Sequence, residues 1–287
     1  MATALCLTGC TKNEEEEEDE SDPLAVEVSQ TAGMKNVLLE EFTGNRCTWC
    51  PLGHKYAGEV RDEMSGKCFV INYHIAGSLA NAYCTDYGRT LNSNFNVENG
   101  SYGTPAAMFN RTNFTGSSDK ITFGVNDSSN TYAPWAQQIA SQQACANVAA
   151  AATINKSTRE LIVHVKVYYT SDGVGTSNKL NIAIVQNNVI GAQTGSSRNP
   201  AQVEGSQYRH MEMFRDFVTG QWGEAISPVT SGSMIDKTYT YSIPEAYTDP
   251  VNSNSEPAVL EDLEVIVFVA EGNTNVVNAC KAKITLQ

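Results

Sequence analysis

Residues 37–51 read Val37-Leu38-Leu39-Glu40-Glu41-Phe42-Thr43-Gly44-Asn45-Arg46-Cys47-Thr48-Trp49-Cys50-Pro51. The stretch Val37 to Phe42 is apolar except for its two acids and has the length of a short strand, and Thr43 to Arg46 is a loop that ends it. Pro51 suits the first turn of a helix, where its missing N–H is not needed. Leu52 to Ser65 reads as that helix, with Gly66 as its stop. Lys67 to His74 (KCFVINYH) is the next strand. Strand, helix and strand in this order predict a right-handed crossover and a parallel pair.

The chemistry is concentrated in Cys47-Thr48-Trp49-Cys50. Two thiols separated by two residues at a helix start can close a small disulfide loop. The first lies where unpaired N–H groups and the helix dipole stabilise negative charge, which favours the thiolate. Arg46 pushes the same way. Downstream, residues 75–103 look like an insertion with a weak helix signal from Tyr83 to Phe95. Thr104 to Arg111 (TPAAMFNR) is a strand entered through Pro105. Tyr132 to Ala149 is rich in Ala and Gln and reads as a helix, and a domain boundary is expected near Ala146 to Ala150.

The remainder changes character. Leu161–Thr170, Lys179–Gln186, Lys237–Ser242 and Leu263–Ala270 are β-branched and aromatic, and Val276–Leu286 continues the pattern. Gly272-Asn273 is a hairpin signal. Such strands with polar connections predict a β-sandwich. Arg209, His210, Arg215 and Asp216, interleaved with Met211, Met213 and Phe214, read as an amphipathic loop or short helix packed on that sandwich. The strands are too few, and their loops too long and polar, for a transmembrane barrel.

The 287 residues carry 19 Lys plus Arg against 32 Asp plus Glu, a net charge of −13. That balance argues against nucleic acid as a partner, which would want a basic face. Much of the excess is the run Glu14 to Glu20, dense enough to repel itself and stay extended. No apolar run approaches the roughly 20 residues of a spanning helix. Leu7-Thr8-Gly9-Cys10 resembles a bacterial lipobox, although no Lys or Arg precedes Cys10 and the apolar stretch is short, as in a truncated signal. Residues 1–10 are therefore read as a lipoprotein signal with Cys10 as the lipidated residue. Residues 11–34 are read as an acidic disordered tether, and the membrane is met through the lipid alone.

A C-x-x-C after an apolar strand, an acid (Glu41) six residues before Cys47, and a Thr104-Pro105 pair opening a later strand together resemble the thioredoxin superfamily. The resemblance implies Cys47 as the attacking thiol and Cys50 as the resolving one. It implies Glu41 as the proton acceptor for Cys50, and a cis Pro105 lying against the pair. Thr104 would hydrogen-bond a bound peptide, with Trp49 and Arg46 beside it. Arg46 stands where that family usually has an aromatic residue, and the segment from Cys50 to Pro105 is longer and irregular. From VLLEEFTGNRCTWCP through GTPAAMFNR, and again from Tyr208-Arg209-His210-Met211 to Gly220-Gln221-Trp222-Gly223-Glu224, the chain also resembles the Omp-twenty-eight-related outer membrane lipoproteins of Bacteroidetes. That resemblance implies an α/β thioredoxin-like domain at 35–147 followed by an all-β immunoglobulin-like sandwich at 148–287. It implies a place at the outer membrane, on the cell surface or the periplasmic face.

Two uses of the pair stay open. It can exchange with thiols or disulfides of exported proteins, needing no cofactor beyond the dithiol. It can equally be a permanent disulfide in an oxidising compartment, within a module that binds a surface protein or glycan. A zinc or copper site from the two thiolates with His54 or His74 is the weaker alternative, since only one C-x-x-C is present, and no metal is expected. His54 reads as a solvated helix residue and His74 as a strand-end residue. Cys68, Cys84, Cys145 and Cys280 are either two further disulfides, in one of three connectivities, or buried thiols.

Overall fold

The computed structural model describes residues 22–75, 79–97, 103–114, 122–123, 125–126 and 129–287. The first part holds β1 (Val37–Thr43), α1 (Cys50–Glu63), β2 (Cys68–His74), α2 (Asp86–Asn94), β3 (Ala106–Phe109), β4 (Thr122–Phe123), β5 (Val125–Asn126), β6 (Ser129–Asn130) and α3 (Ala133–Ala140). Long strands follow: β7 (Ala146–Asn155), β8 (Glu160–Tyr169) and β9 (Asn178–Gln186). Shorter ones come next: β10 (Val189–Gly191), β11 (Val203–Glu204), β12 (Gln207–His210), β13 (Met213–Phe217) and β14 (Glu224–Ile226). The chain ends with β15 (Met234–Ser242), β16 (Ala246–Thr248), β17 (Ser255–Pro257), β18 (Leu263–Glu271), β19 (Thr274–Lys281) and β20 (Lys283–Leu286).

The expected α/β thioredoxin-like domain followed by a separate immunoglobulin-like sandwich is overturned. One nine-stranded sheet runs β19-β18-β9-β13-β2-β1-β3-β4, with β14 also on β9, so strands from both parts of the chain share a single sheet. The junction is β13 beside β2. Met213 pairs with Asn72, and the Asn72 backbone N–H donates to Glu212 O at 2.8 Å while its side-chain amide donates to Met211 O at 2.8 Å. The protein is mostly β, and a second sheet, β15-β8-β7-β20, covers part of the first. The expected parallel pairing of β1 with β2 and the hairpin between β18 and β19 are present.

Strand alternation sorts the core into three layers. Leu39 of β1 and Val70 of β2 face α1 and α3, packing with Leu52, Tyr56, Val60 and Ile139. On the opposite face, Leu38, Phe42, Ile71 and Tyr73 meet Val185, Phe214, Ile266 and Phe268. Val265, Val267 and Val269, which alternate with Ile266 and Phe268 in β18, face the second sheet and its Val163, Val165 and Val167. All seven residues of β1 are buried because both its faces are covered. That is why its hydrophobicity is nearly continuous, and why its two acids end up on opposite sides.

Two other expectations are corrected. Ala146 to Ala149 open β7 instead of ending a helix, because their backbone pairs with β8 over its whole length. Helix propensity is a weak prior against such pairing. Met213 to Phe217, read as a loop or short helix, is the central strand β13. The lipid signal and residues 11–21 of the tether lie outside the described residues. Residues 22–34 lie largely exposed along the fold and are tied to it at points: Leu24 O bonds the His164 ring, Ser29 O and Thr31 O accept from the Asn147 amide, and Met34 bridges Gln143.

Glu40 faces the middle layer and meets Arg111, which follows β3. The guanidinium donates from Nε to Glu40 Oε2 and from Nη2 to Oε1, both at 2.7 Å, and Tyr73 OH donates to Oε1 at 2.9 Å. Arg111 also lies over the Phe268 ring of β18, 5.1 Å from its centroid. The Arg111→Leu variant leaves the Glu40 charge without its partner, so urea unfolding should show a loss of about 3–5 kcal/mol. The double variant Glu40→Leu/Arg111→Leu should recover most of it. A single variant within about 1 kcal/mol of the native chain would contradict this.

Candidate functional site

β1 carries Glu41 to the helix side, and the loop after β1 delivers the cysteines to the start of α1. Cys47 and Cys50 form a disulfide with Cα atoms 5.4 Å apart. The Cys50 backbone N–H, first of the helix, points at Cys47 Sγ at 3.1 Å. This is the expected placement of a sulfur against unpaired helix-start donors. Thr104-Pro105 is a cis peptide, and Thr104 O lies 3.5 Å from Cys47 Sγ. Gly53, one position past Leu52 in α1, fixes how closely the helix approaches what lies beneath. A Cβ there would stand 2.2 Å from Glu41 Oε1 and 2.8 Å from Pro105 Cβ. Five residues named from the sequence, Glu41, Cys47, Cys50, Thr104 and Pro105, are therefore brought to one place.

Glu41 is fully buried, and neither carboxyl oxygen has a hydrogen-bond partner among the described residues. Burial, reinforced by the nearby Glu212, holds its carboxyl well above the usual carboxylate range. The same burial favours its protonated form, which could hold a proton beneath the helix start. Glu212 is paired with Arg61 of α1. Trp49 is 40% exposed, with the Arg198 guanidinium stacked 3.6 Å from its ring centroid. Arg46 is exposed and its backbone N–H donates to Leu79 O. Cys10 lies outside the described residues.

His54 is buried, against the expectation of a solvated position, because the segment carrying Tyr208 packs onto its side of α1. Its Nδ1 is 3.0 Å from Tyr208 OH and its Nε2 is 2.7 Å from Thr43 Oγ1. Tyr208 OH donates to Gln202 Oε1, so it accepts from His54 Nδ1–H, and Nε2 accepts from Thr43. His74 and His210 are buried with ring centroids 5.3 Å apart, and His54 lies 6.5 Å from His210. Three of the chain's four histidines thus gather behind the disulfide. No group among the described residues has the arrangement to hold a metal ion. Cys68, Cys84, Cys145 and Cys280 are free thiols, so neither further disulfide forms.

A segment invisible to the sequence reading crosses the C-x-x-C loop. The Gln193 side-chain amide donates to Gly44 O and to Cys47 O, each at 3.1 Å, and Thr194 N–H donates to Asn45 O at 2.8 Å. Gly195 has φ +74°, and a Cβ there would stand 2.1 Å from Thr48 O. Glycine is used here both for the left-handed backbone and for the close approach.

The family model for outer membrane protein Omp28 matches residues 90–287. The chain belongs to the Omp28 outer membrane protein family. It is thus a protein of the outer membrane, and no helix among its described residues is long and apolar enough to span one. Among solved structures it is similar to HBP35 of Porphyromonas gingivalis, with 18% identity, a TM-score of 0.66, and 88% of this chain and 78% of that one covered. A protein of Agrobacterium tumefaciens, AGR_C_4864, has 10% identity, a TM-score of 0.49 and coverage of 87% and 95%. A domain of the outer membrane lipoprotein Omp28 from Porphyromonas gingivalis has 19% identity, a TM-score of 0.32 and coverage of 50% and 99%. No curated protein matches the chain at a significant level.

The imidazoles give the site a pH signature. Burial brings His54 down to about 3 and His210 to about 4, and holds His74 well below its ordinary value. An unfolded imidazole titrates near about 6.5, so below that the unfolded chain takes up protons the folded chain refuses. Stability should fall as pH drops from about 6.5 toward 4, by up to about 1.4 kcal/mol per pH unit for each imidazole. Glu41, raised in the folded chain, acts in the opposite sense, so the difference between chains is the readout. Urea midpoints across this window should fall less steeply for His210→Gln than for the native chain, and equal slopes would contradict the assignment.

Proposed function

We propose that this outer-membrane protein is a thiol–disulfide oxidoreductase acting on cysteines of exported proteins. The observation that carries the reading is the disulfide at the start of α1, with the buried Glu41 and Pro105 packed together beneath that helix. A substrate thiolate attacks Cys47 Sγ, the bond to Cys50 breaks, and Cys50 leaves as a thiolate that takes the proton held by Glu41. The product is a mixed disulfide at Cys47. A second substrate thiolate attacks the substrate sulfur of that mixed disulfide and releases Cys47. Two substrate thiolates are oxidised to one disulfide, and the Cys47–Cys50 pair is reduced to a Cys50 thiol and a Cys47 thiolate, with solvent returning the protons of Cys47 and Glu41.

Cys47 is only 3% exposed and Cys50 not at all, which favours a second reading of the pair as a permanent structural bond. The reduction potential decides between them. The redox reading expects a value above about −300 mV, and Cys50→Ser is expected to trap mixed disulfides that Cys47→Ser does not. Glu41→Gln should slow exchange while leaving the potential measurable. A potential below that limit, with no trapped species, would leave the structural bond as the answer.

We further propose that Cys10 carries the lipid that holds the chain at the membrane. Labelling of the precursor with a fatty-acid analogue should be lost in Cys10→Ser. Label retained in that variant would refute the anchor.

A further inference from the structure

We propose that the segment Gln193–Arg198 selects substrates of the disulfide by bulk, admitting small thiols and single extended chains and excluding cysteines on folded proteins. This rests on the redox reading above. The segment is held by side chain, backbone and ring together. Gln193 binds two carbonyls of the C-x-x-C loop, one of them that of Cys47 itself, and Thr194 binds a third carbonyl at Asn45. Gly195 lies too close to Thr48 O for any side chain, and Arg198 stacks on Trp49. Cys47 Sγ itself lies 3.5 Å from Thr104 O. Cys47 Sγ, the atom attacked, is therefore hemmed in by a cis-proline turn and by a strap contributed by the later part of the chain, in a slot from which only 3% of Cys47 reaches solvent. In-line attack on Cys47 Sγ needs a sulfur that can enter this slot. A free thiol, or a cysteine on an extended segment, brings little bulk with it. A cysteine on a folded surface brings its neighbours, which collide with the strap unless it lifts. The substrates assigned are thus exported chains met before they fold, together with small thiols.

The test compares two reductants on the intact chain: dithiothreitol, and a folded protein carrying one surface cysteine, with opening of the Cys47–Cys50 bond followed by alkylation and mass. Gly195→Ala must lift the strap, because its Cβ has no room against Thr48 O. If the lifted state is a minor one in the native chain, the variant should react with the folded protein about tenfold to a hundredfold faster. Its rate with dithiothreitol should change by less than about threefold. Gln193→Ala, which removes two bonds without touching the backbone, should move the same ratio in the same direction if Gly195→Ala fails to fold. An unchanged ratio in a folded variant, with the bond opening readily in both chains, overturns the strap inference and leaves the redox reading standing. A bond that opens with neither reductant in any variant overturns the redox reading and this inference with it.

Discussion

The buried pair Glu40–Arg111 is the constraint around which the rest is arranged. A guanidinium and a carboxylate, both essentially without solvent contact, sit between the first strands of the sheet and β18. Desolvating two such charges costs several kcal/mol each, and the cost is met only when geometry and extra hydrogen bonds are good. Here both guanidinium contacts are short, Tyr73 adds a third bond, and the rings of Phe268 and Trp222 lie against the guanidinium. The arrangement works only if β1, the end of β3 and the β18–β19 hairpin come together. Bonds between Asn110 and Val276, and between Asn36 and Asn278, show that they do. An interaction of this kind specifies which parts meet as much as it stabilises them.

This explains what could and could not be read from residues alone. The strand from Val37, the helix read over Leu52–Ser65 and the next strand were legible, to within a few residues at their ends, because each rests on neighbours in sequence: an apolar run, a proline in the first turn, a glycine stop. Glu41, Cys47, Cys50, Thr104 and Pro105 were named together through a family resemblance, carried by a C-x-x-C, an acid six residues before it and a later Thr-Pro pair. The partner of β2 was not legible. Nothing in Met213 to Phe217, with an Arg and an Asp among its apolar residues, announces a central strand. Its Arg215 is buried, with its guanidinium over the Tyr247 ring, and that ring lies far away in sequence. Two ordinary domains were the simplest organisation compatible with local patterns, and one pairing at Asn72 is enough to make that organisation wrong.

The polar groups behind the disulfide are the other departure from local rules. Glu41, His54, His74, His210 and Tyr208 are all buried, and a core built for stability alone would replace most of them with apolar side chains. His54 and Tyr208 are satisfied by Thr43 and Gln202. Burial pushes the Glu41 carboxyl well above the usual carboxylate range. Glu41 lies beneath α1 and His54 is carried on it, and burial disfavours the charged form of each.

That interior bears on the two sulfurs unequally. Cys47 receives the Cys50 N–H and the positive end of α1, which stabilise charge on it once the bond opens. Cys50 is fully enclosed, and no donor to its sulfur is found among the described residues. The asymmetry follows from helix direction: the residue three positions earlier lies in front of the free N–H groups, whereas the first helical residue lies behind them. The segment around Gln193 covers the same front side, holding the carbonyl of Cys47 while leaving the N–H of Cys50 to its sulfur. A backbone donor thus addresses the sulfur of Cys47, while the acid beneath the helix approaches the backbone at Gly53, one turn further along.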